Sequence, residues 1–259
     1  MKKIISLLCI LFLLCGCKAE NMNHDSKIVI ALLDSGVSSS AIQSEHLLSG
    51  YNYVCDSNET EDLLSHGTAV ASIILGCDSA DVEPLAPNAY VVPLVIATMQ
   101  DSKIVPVSLE TLAKAVRDSV DIYQADIINM SLGIQNDNKI LLEAVEYAEK
   151  KGVLVVSSVG NDGSEGKPYY PASYDTVLSV GSHDKNGRES DFSQNGADVL
   201  AQGEDIILAS RKGKKYGTKG TSYATGFVSA KAALYLAEHP AVSMDELRSY
   251  LKTQQYYQK

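Results

Sequence analysis

Ile28-Val29-Ile30-Ala31-Leu32-Leu33-Asp34-Ser35-Gly36 is the stretch that decides the fold. Six apolar residues in a row, with no polar alternation, read as a strand buried on both faces, the pattern of a parallel sheet covered by helices. The run stops on an Asp, and a Gly two positions later permits a tight turn. Four more segments read as strands: residues 89–96 (AYVVPLVI), 126–130 (DIINM), 153–157 (VLVVS) and 176–180 (TVLSV). Pro93 marks the first of these as an edge or irregular strand, because proline cannot donate to a sheet ladder.

Helical patterns lie between the strands, at residues 68–75, 108–123, 138–150, 222–238 and 243–251. The second opens on Ser108 with Glu110 in its first turn. The third carries Leu141, Leu142, Val145 and Ala148 on one stripe and stops at Lys151-Gly152. The fourth ends before Pro240. Strands alternating with helices predict a single three-layer α/β domain, a mostly parallel sheet with helices on both faces. No repeat, long linker or low-complexity segment interrupts it.

The first residues do not belong to that pattern. Met1-Lys2-Lys3 is a cationic head and residues 4–14 form an apolar run broken only by Ser6 and Cys9, the signature of an export signal. The run is too short for a spanning helix, which needs roughly 20 residues. Leu14-Cys15-Gly16-Cys17 resembles the bacterial lipobox, whose last Cys is lipidated. Residues 1–16 are thus expected to be a signal peptide, 17–26 a lipidated Cys17 and tether, and 27–259 the folded domain. A diacylated Cys17 would hold the protein at the extracytoplasmic face of a bacterial membrane. An ordinary signal peptide and a secreted protein is the alternative.

The chain of 259 residues has 32 acidic and 22 basic side chains; without Lys2 and Lys3 the balance is 20 against 32, or −12. That charge argues against nucleic acid and anionic membrane surfaces as partners, and is suited to cationic substrates or simply to solubility. Beyond residue 17 only Cys55 and Cys77 remain, as one disulfide or as two free thiols. No Cys-x-x-Cys or His-Glu-x-x-His run suggests a metal site.

Three blocks stand at element junctions. Asp34 ends the first strand; alone it reads as a turn former. His66, in Ser65-His66-Gly67-Thr68, opens a helix with no polar side chain beyond Thr68 until Ser72; alone it is a cap or a core group. Ser222, in Gly220-Thr221-Ser222-Tyr223-Ala224, opens the longest helix, where a Ser is by default a cap. Together they supply an orienting carboxylate, a base and a nucleophile. In that order they resemble the signature blocks of the subtilisin-like serine peptidases, over about residues 28–240.

The resemblance implies that Ser222 attacks a peptide carbonyl, His66 relays the proton and Asp34 fixes the imidazole. It makes Asn161, in Val159-Gly160-Asn161-Asp162-Gly163, an oxyanion donor beside the Ser222 N–H, although Asn161 alone is a turn residue. It makes Ser131, Leu132 and Gly133 the edge that pairs with an extended substrate by strand addition. Tyr169 falls near the floor of the primary specificity pocket, where its ring would favour a small or medium uncharged residue before the cut.

The chain departs from the family with Tyr223 in place of Met and Gly226 in place of Pro. About ten residues separate Cys17 from the first strand, too few for the usual folding prosegment. The short loop after Leu75 leaves the structural calcium of many relatives possible but unsupported, since its acids alone do not dictate a cation; no cofactor or metal is otherwise expected. The reading is a monomeric serine endopeptidase acting on a peptide or protein, in a processing role at the cell surface. Its alternatives are a leader-peptide-trimming peptidase of a modified-peptide (lantibiotic-like) pathway and a catalytically silent peptide-binding module. A lipase of the α/β-hydrolase type is contradicted by the order of the three blocks.

Overall fold

A computed structural model describes residues 27–258; the expected export signal, Cys17 and the expected tether lie outside the described residues. The strands are β1 (Val29–Asp34), β2 (Tyr51–Asn52), β3 (Tyr90–Val95), β4 (Ala97–Gln100), β5 (Lys103–Pro106), β6 (Ile127–Met130), β7 (Leu154–Ser158), β8 (Leu178–His183), β9 (Val199–Gln202), β10 (Ile206–Ala209) and β11 (Lys215–Thr218). The helices are α1 (His66–Leu75), α2 (Leu109–Asp121), α3 (Lys139–Lys150), α4 (Thr221–Glu238) and α5 (Met244–Lys252).

Seven strands form one parallel sheet in the order β2-β3-β1-β6-β7-β8-β9, with β1 near its centre. The apolar run of β1 is divided between two cores by the strand's period of two. Ile28, Ile30 and Leu32 join α1, α4 and α5 on one face, whereas Val29, Ala31 and Leu33 join α2 and α3 on the other. All six residues of β1 are buried. This is why the run had no polar alternation.

Pro93 lies in a regular strand one position in from the edge, and the edge expectation is corrected here. Val91 donates to the His46 carbonyl at 2.9 Å on the outer side of β3, whereas Tyr90 donates to Ile28 on the inner side. Pro93, two residues beyond Val91, turns its missing N–H outward, and Leu32 stays in register with it on β1. The strand expected at 176–180 begins two residues later, as β8.

Helix starts follow local chemistry. The Ser108 hydroxyl accepts from the Thr111 N–H, the Asn138 side chain accepts from Ile140 and Leu141, and Ser243 with Glu246 forms a capping box. Two antiparallel hairpins, β4–β5 and β10–β11, have no counterpart in the sequence pattern. The first turns on Asp101 and Ser102, both at positive φ (47° and 62°), a geometry that Asn-Gly usually signals.

Cys55 is exposed and Cys77 buried, and both are free thiols, which settles the two readings of the pair. No described helix is long and apolar enough to cross a membrane.

Candidate active site

Asp34 is the last residue of β1, buried at 5% exposure. Its carboxylate oxygens lie 2.7 and 2.9 Å from Nδ1 of His66, the first residue of α1. An imidazole so held carries its proton on Nδ1 and presents Nε2 to the cleft. The approach needs Gly67: a Cβ there would stand 2.2 Å from the Gly36 carbonyl and 3.1 Å from Asp34 Oδ1. Burial alone would lower the His66 pKa, but the charge of Asp34, its hydrogen bond, and the charge of Asp62 outweigh it and hold the value above the ordinary 6.5.

Asp62 is a site residue that the sequence reading missed. It is fully buried, and its two oxygens accept five hydrogen bonds: from the Ser35 hydroxyl (2.9 Å), the N–H groups of Leu64 (2.8 Å), Ser65 (2.9 Å) and Thr68 (2.9 Å), and the Thr68 hydroxyl (2.7 Å). Ser35 Oγ in turn accepts from the Gly67 N–H at 3.0 Å. One buried carboxylate thus ties the end of β1 to the turn that carries His66. The signal in the sequence was an acid four residues before a helix-opening His, where it meets the unpaired N–H groups of a helix start.

Ser222 is the second residue of α4 and is 8% exposed. Its hydroxyl donates to the Ser131 carbonyl at 3.4 Å, and no hydrogen bond joins Ser222 to His66 among the described residues. In unliganded sites such bonds are commonly long and tighten once substrate is present. The Ser222 carbonyl accepts from the Ser131 hydroxyl at 3.0 Å, and Ser131 accepts from Asn129, which is held by Ser229 of α4. The side chain of Ser131 therefore braces the first turn of α4 rather than facing a substrate. Leu132 and Gly133 donate no backbone hydrogen bond among the described residues.

The Asn161 Oδ1 accepts from the Thr221 N–H (2.9 Å) and hydroxyl (3.1 Å). A backbone N–H only donates, so the amide orientation is fixed and Nδ2 is the free end. Neither Asn161 Nδ2 nor the Ser222 N–H has an acceptor among the described residues. Two unpaired donors flanking one hydroxyl suit a developing oxyanion.

The Tyr169 ring lies between Gly133 and Gly160: a Cβ at these positions would stand 2.7 Å from Tyr169 Cβ and 3.1 Å from its Cδ2. Its hydroxyl donates to Asp162 and accepts from Gln135 at 3.2 Å, so the ring is fixed at its far end too. Tyr223, buried beside the nucleophile, sets its ring 5.4 Å from that of His66; burial foremost pushes its hydroxyl up to about 12.

Asp34, His66, Ser131, Leu132, Tyr216 and Tyr223 share a cleft of about 380 Å³. Two roomier grooves, about 680 and 590 Å³, lie beside α5 and below β1, away from Asp34 and His66. In the loop after α1, Asp81 is paired with Lys215 at 3.0 Å. Among the described residues no three His, Cys, Asp or Glu converge.

Residues 25–257 match the subtilase family. The chain is 29% identical over 234 residues to subtilisin DY of Bacillus licheniformis, covering 88% of this chain and 83% of that protein. It is 32% identical over 231 residues to an alkaline protease of Alkalihalobacillus alcalophilus, covering 88% of this chain and 58% of that one. Among solved structures, the prenylagaramide maturation protease PagA superposes with a TM-score of 0.71 at 30% identity, over 88% of this chain and 82% of that one. The parallel sheet, the helices on both its faces and these likenesses agree: the chain belongs to the subtilase family and is a subtilisin-like serine peptidase.

Proposed function

We propose that Ser222 is the nucleophile, His66 the general base and acid, and Asp34 the carboxylate that orients it, in hydrolysis of a peptide bond. The observation that carries this is the Asp34–His66 contact at 2.7 Å beside a serine with two unpaired donors. In the first step Ser222 Oγ bonds to the carbonyl carbon as its proton passes to His66 Nε2. The carbonyl oxygen becomes an oxyanion facing Asn161 Nδ2 and the Ser222 N–H. Collapse breaks the C–N bond, and His66 gives its proton to the leaving amine. Water, deprotonated by His66, then releases the acyl group and restores Ser222. The Asp34 carboxylate stabilises the imidazolium.

The acyl segment of the substrate pairs with the free backbone of Leu132 and Gly133. Tyr169 fills the space beyond them, which favours a small uncharged residue before the cut. No cofactor enters the reaction.

In this reading the enzyme is a monomeric processing peptidase, lipid-anchored by Cys17 on the outer side of a bacterial membrane. A narrower role, trimming the leader of a modified peptide, is favoured by the likeness to a maturation protease.

Labelling with a fluorophosphonate probe tests the proposal. Wild type is expected to label, and Ser222→Ala and His66→Ala are not. A folded wild type that fails to label would leave a silent peptide-binding module. Radiolabelled palmitate incorporated into wild type but not Cys17→Ser tests the anchor. Mass-spectrometric profiling on a mixed peptide library tests the processing role, which broad cleavage would overturn.

A further inference from the structure

Between Asp205 and Glu238 the chain carries six basic residues and no acidic one, in a protein of net charge −10. Five of them, Arg211, Lys212, Lys214, Lys215 and Lys219, lie in or beside the β10–β11 hairpin, which leads directly into Ser222. Lys212, Lys214, Lys215 and Lys219 are exposed. Of the five, only Lys215 is in an ion pair among the described residues, with Asp81. Asp78 shares a groove with Lys212 without pairing to it. Lys219 lies 5.1 Å above the Phe192 ring and makes no ion pair with the neighbouring Asp191. The patch is therefore largely uncompensated.

The patch is also rigidly placed. The turn is closed by Gly213 N–H to the Ser210 carbonyl (2.8 Å) and Ser210 N–H to the Lys214 carbonyl (2.9 Å). Ala209 N–H donates to Ser72 of α1 at 3.2 Å, and Arg211 N–H donates to the Ser65 hydroxyl at 3.2 Å, immediately before His66. The same strand, β10, is held at Ile207 by the Gln258 side chain, which bonds both its N–H and its carbonyl, and β11 pairs along β10. The hairpin thus holds Arg211 against the turn that carries His66 and reaches with Lys212 and Lys215 to the loop after α1, and Tyr216 from the same hairpin lines the cleft.

We infer that this hairpin is a docking surface for acidic side chains of the substrate on the leaving side of the cut bond. The inference rests on the catalytic reading above. His66 hands its proton to the leaving amine, so the leaving segment starts at the His66 ring. The acyl segment is assigned to Leu132, Gly133 and Tyr169; of the hairpin only the uncharged Tyr216 lines the cleft with Leu132, and none of its Lys or Arg residues does. The leaving segment then runs toward Ser65 and Arg211. One exposed ion pair contributes little. Several like charges beside a cleft act together through their field, raising encounter rates about tenfold or more at low salt. The local charge therefore selects substrates opposite to those that the net charge suggests.

The test uses the full chain in detergent and three internally quenched peptides. They share one acyl half and carry Asp-Glu, Asn-Gln or Lys-Lys at the second and third positions after the cut. In about 20 mM salt the acidic peptide is expected to be cut about tenfold faster than the Lys peptide. In about 0.5 M salt most of that gap closes. The double variant Lys214→Glu/Lys219→Glu reverses the order.

Equal rates on all three peptides, with the neutral one cut, would overturn the inference and leave the peptidase reading standing. An order unchanged in the double variant would do the same. No cleavage of any peptide by the wild type would overturn both. The full chain is also offered phosphatidylglycerol and phosphatidylcholine vesicles. If a preference for phosphatidylglycerol is lost in the double variant while the three peptides are cut alike, the patch serves lipid headgroups and the inference is overturned.

Discussion

Asp62 Oδ2 accepts from both the N–H and the hydroxyl of Thr68, at 2.9 and 2.7 Å, while its Oδ1 reaches back to Ser35 at 2.9 Å. A single buried carboxylate therefore clamps the residue after Asp34 to the residue two beyond His66. The distance between the two candidate catalytic groups is set by a third acid that faces no substrate.

Asp62→Asn tests that clamp. An amide keeps one acceptor oxygen and brings two donors, so it cannot serve five donors at once, and buried groups are left unpaired. The expected cost is roughly 2–4 kcal/mol of folding stability, read from urea denaturation. The variant also removes a charge that raises the His66 pKa, so the acid limb of kcat/KM should move to lower pH. An unchanged pH profile would restrict Asp62 to a structural role.

The pH dependence follows from His66. Its pKa is raised above 6.5, and the base form is the active one, so the midpoint of the acid limb of kcat/KM should lie above that value. Asp34→Asn should bring it down, because both the charge and the carboxylate acceptor are lost. The sign for folding is opposite. A folded pKa above the unfolded one adds stability that is complete below the unfolded value and is lost as pH rises through the folded one. Thermal unfolding of Ser222→Ala across that window should show the loss, and it should shrink when Asp34→Asn is added.

Asn161→Ala removes a donor whose orientation is set by Thr221. Turnover should fall about 100- to 1,000-fold with KM little changed, the size of effect known for subtilisin's own side-chain donor. Steady-state kinetics with one chromogenic peptide would decide it. An unchanged kcat would take Asn161 out of the site.

Tyr169→Gly should open the space between Gly133 and Gly160. The ratio of kcat/KM for Phe over Ala before the cut is expected to rise by about 10- to 200-fold, the range for filling an apolar pocket. If the ratio stays put, the specificity pocket lies elsewhere.

Much of this protein was legible in its sequence. A strand buried on both faces must be uniformly apolar, so residues 28–33 declared a parallel sheet between helices, and Ser108, Asn138 and Ser243 declared helix starts through side-chain hydrogen bonds to nearby N–H groups. Asp34, His66 and Ser222 could be singled out together because each stands where an apolar element meets a Gly-bearing turn, whereas Asn161, by itself a turn residue, stood out only through the family resemblance. Pairing between strands is a different matter. Pro93 read as an edge residue because the sequence does not say which way a missing N–H points, and only the register of β3 against β1 turned it outward. The β4–β5 hairpin escaped notice because its turn is made by Asp101 and Ser102 with no glycine, and the β10–β11 hairpin because its strands are only four residues long, although Gly213 marks its turn.

Asp62 looked like one more acid among 32 until the fold wrapped five donors around it. Its role comes from contacts between residues 27 to 32 positions apart, as well as from its own turn, and local pattern does not encode such contacts. The same holds for the basic hairpin. The sequence determined its charge, but only the packing of Arg211 against Ser65 and of Ala209 against Ser72 laid the hairpin along α1, with Arg211 at the turn before His66.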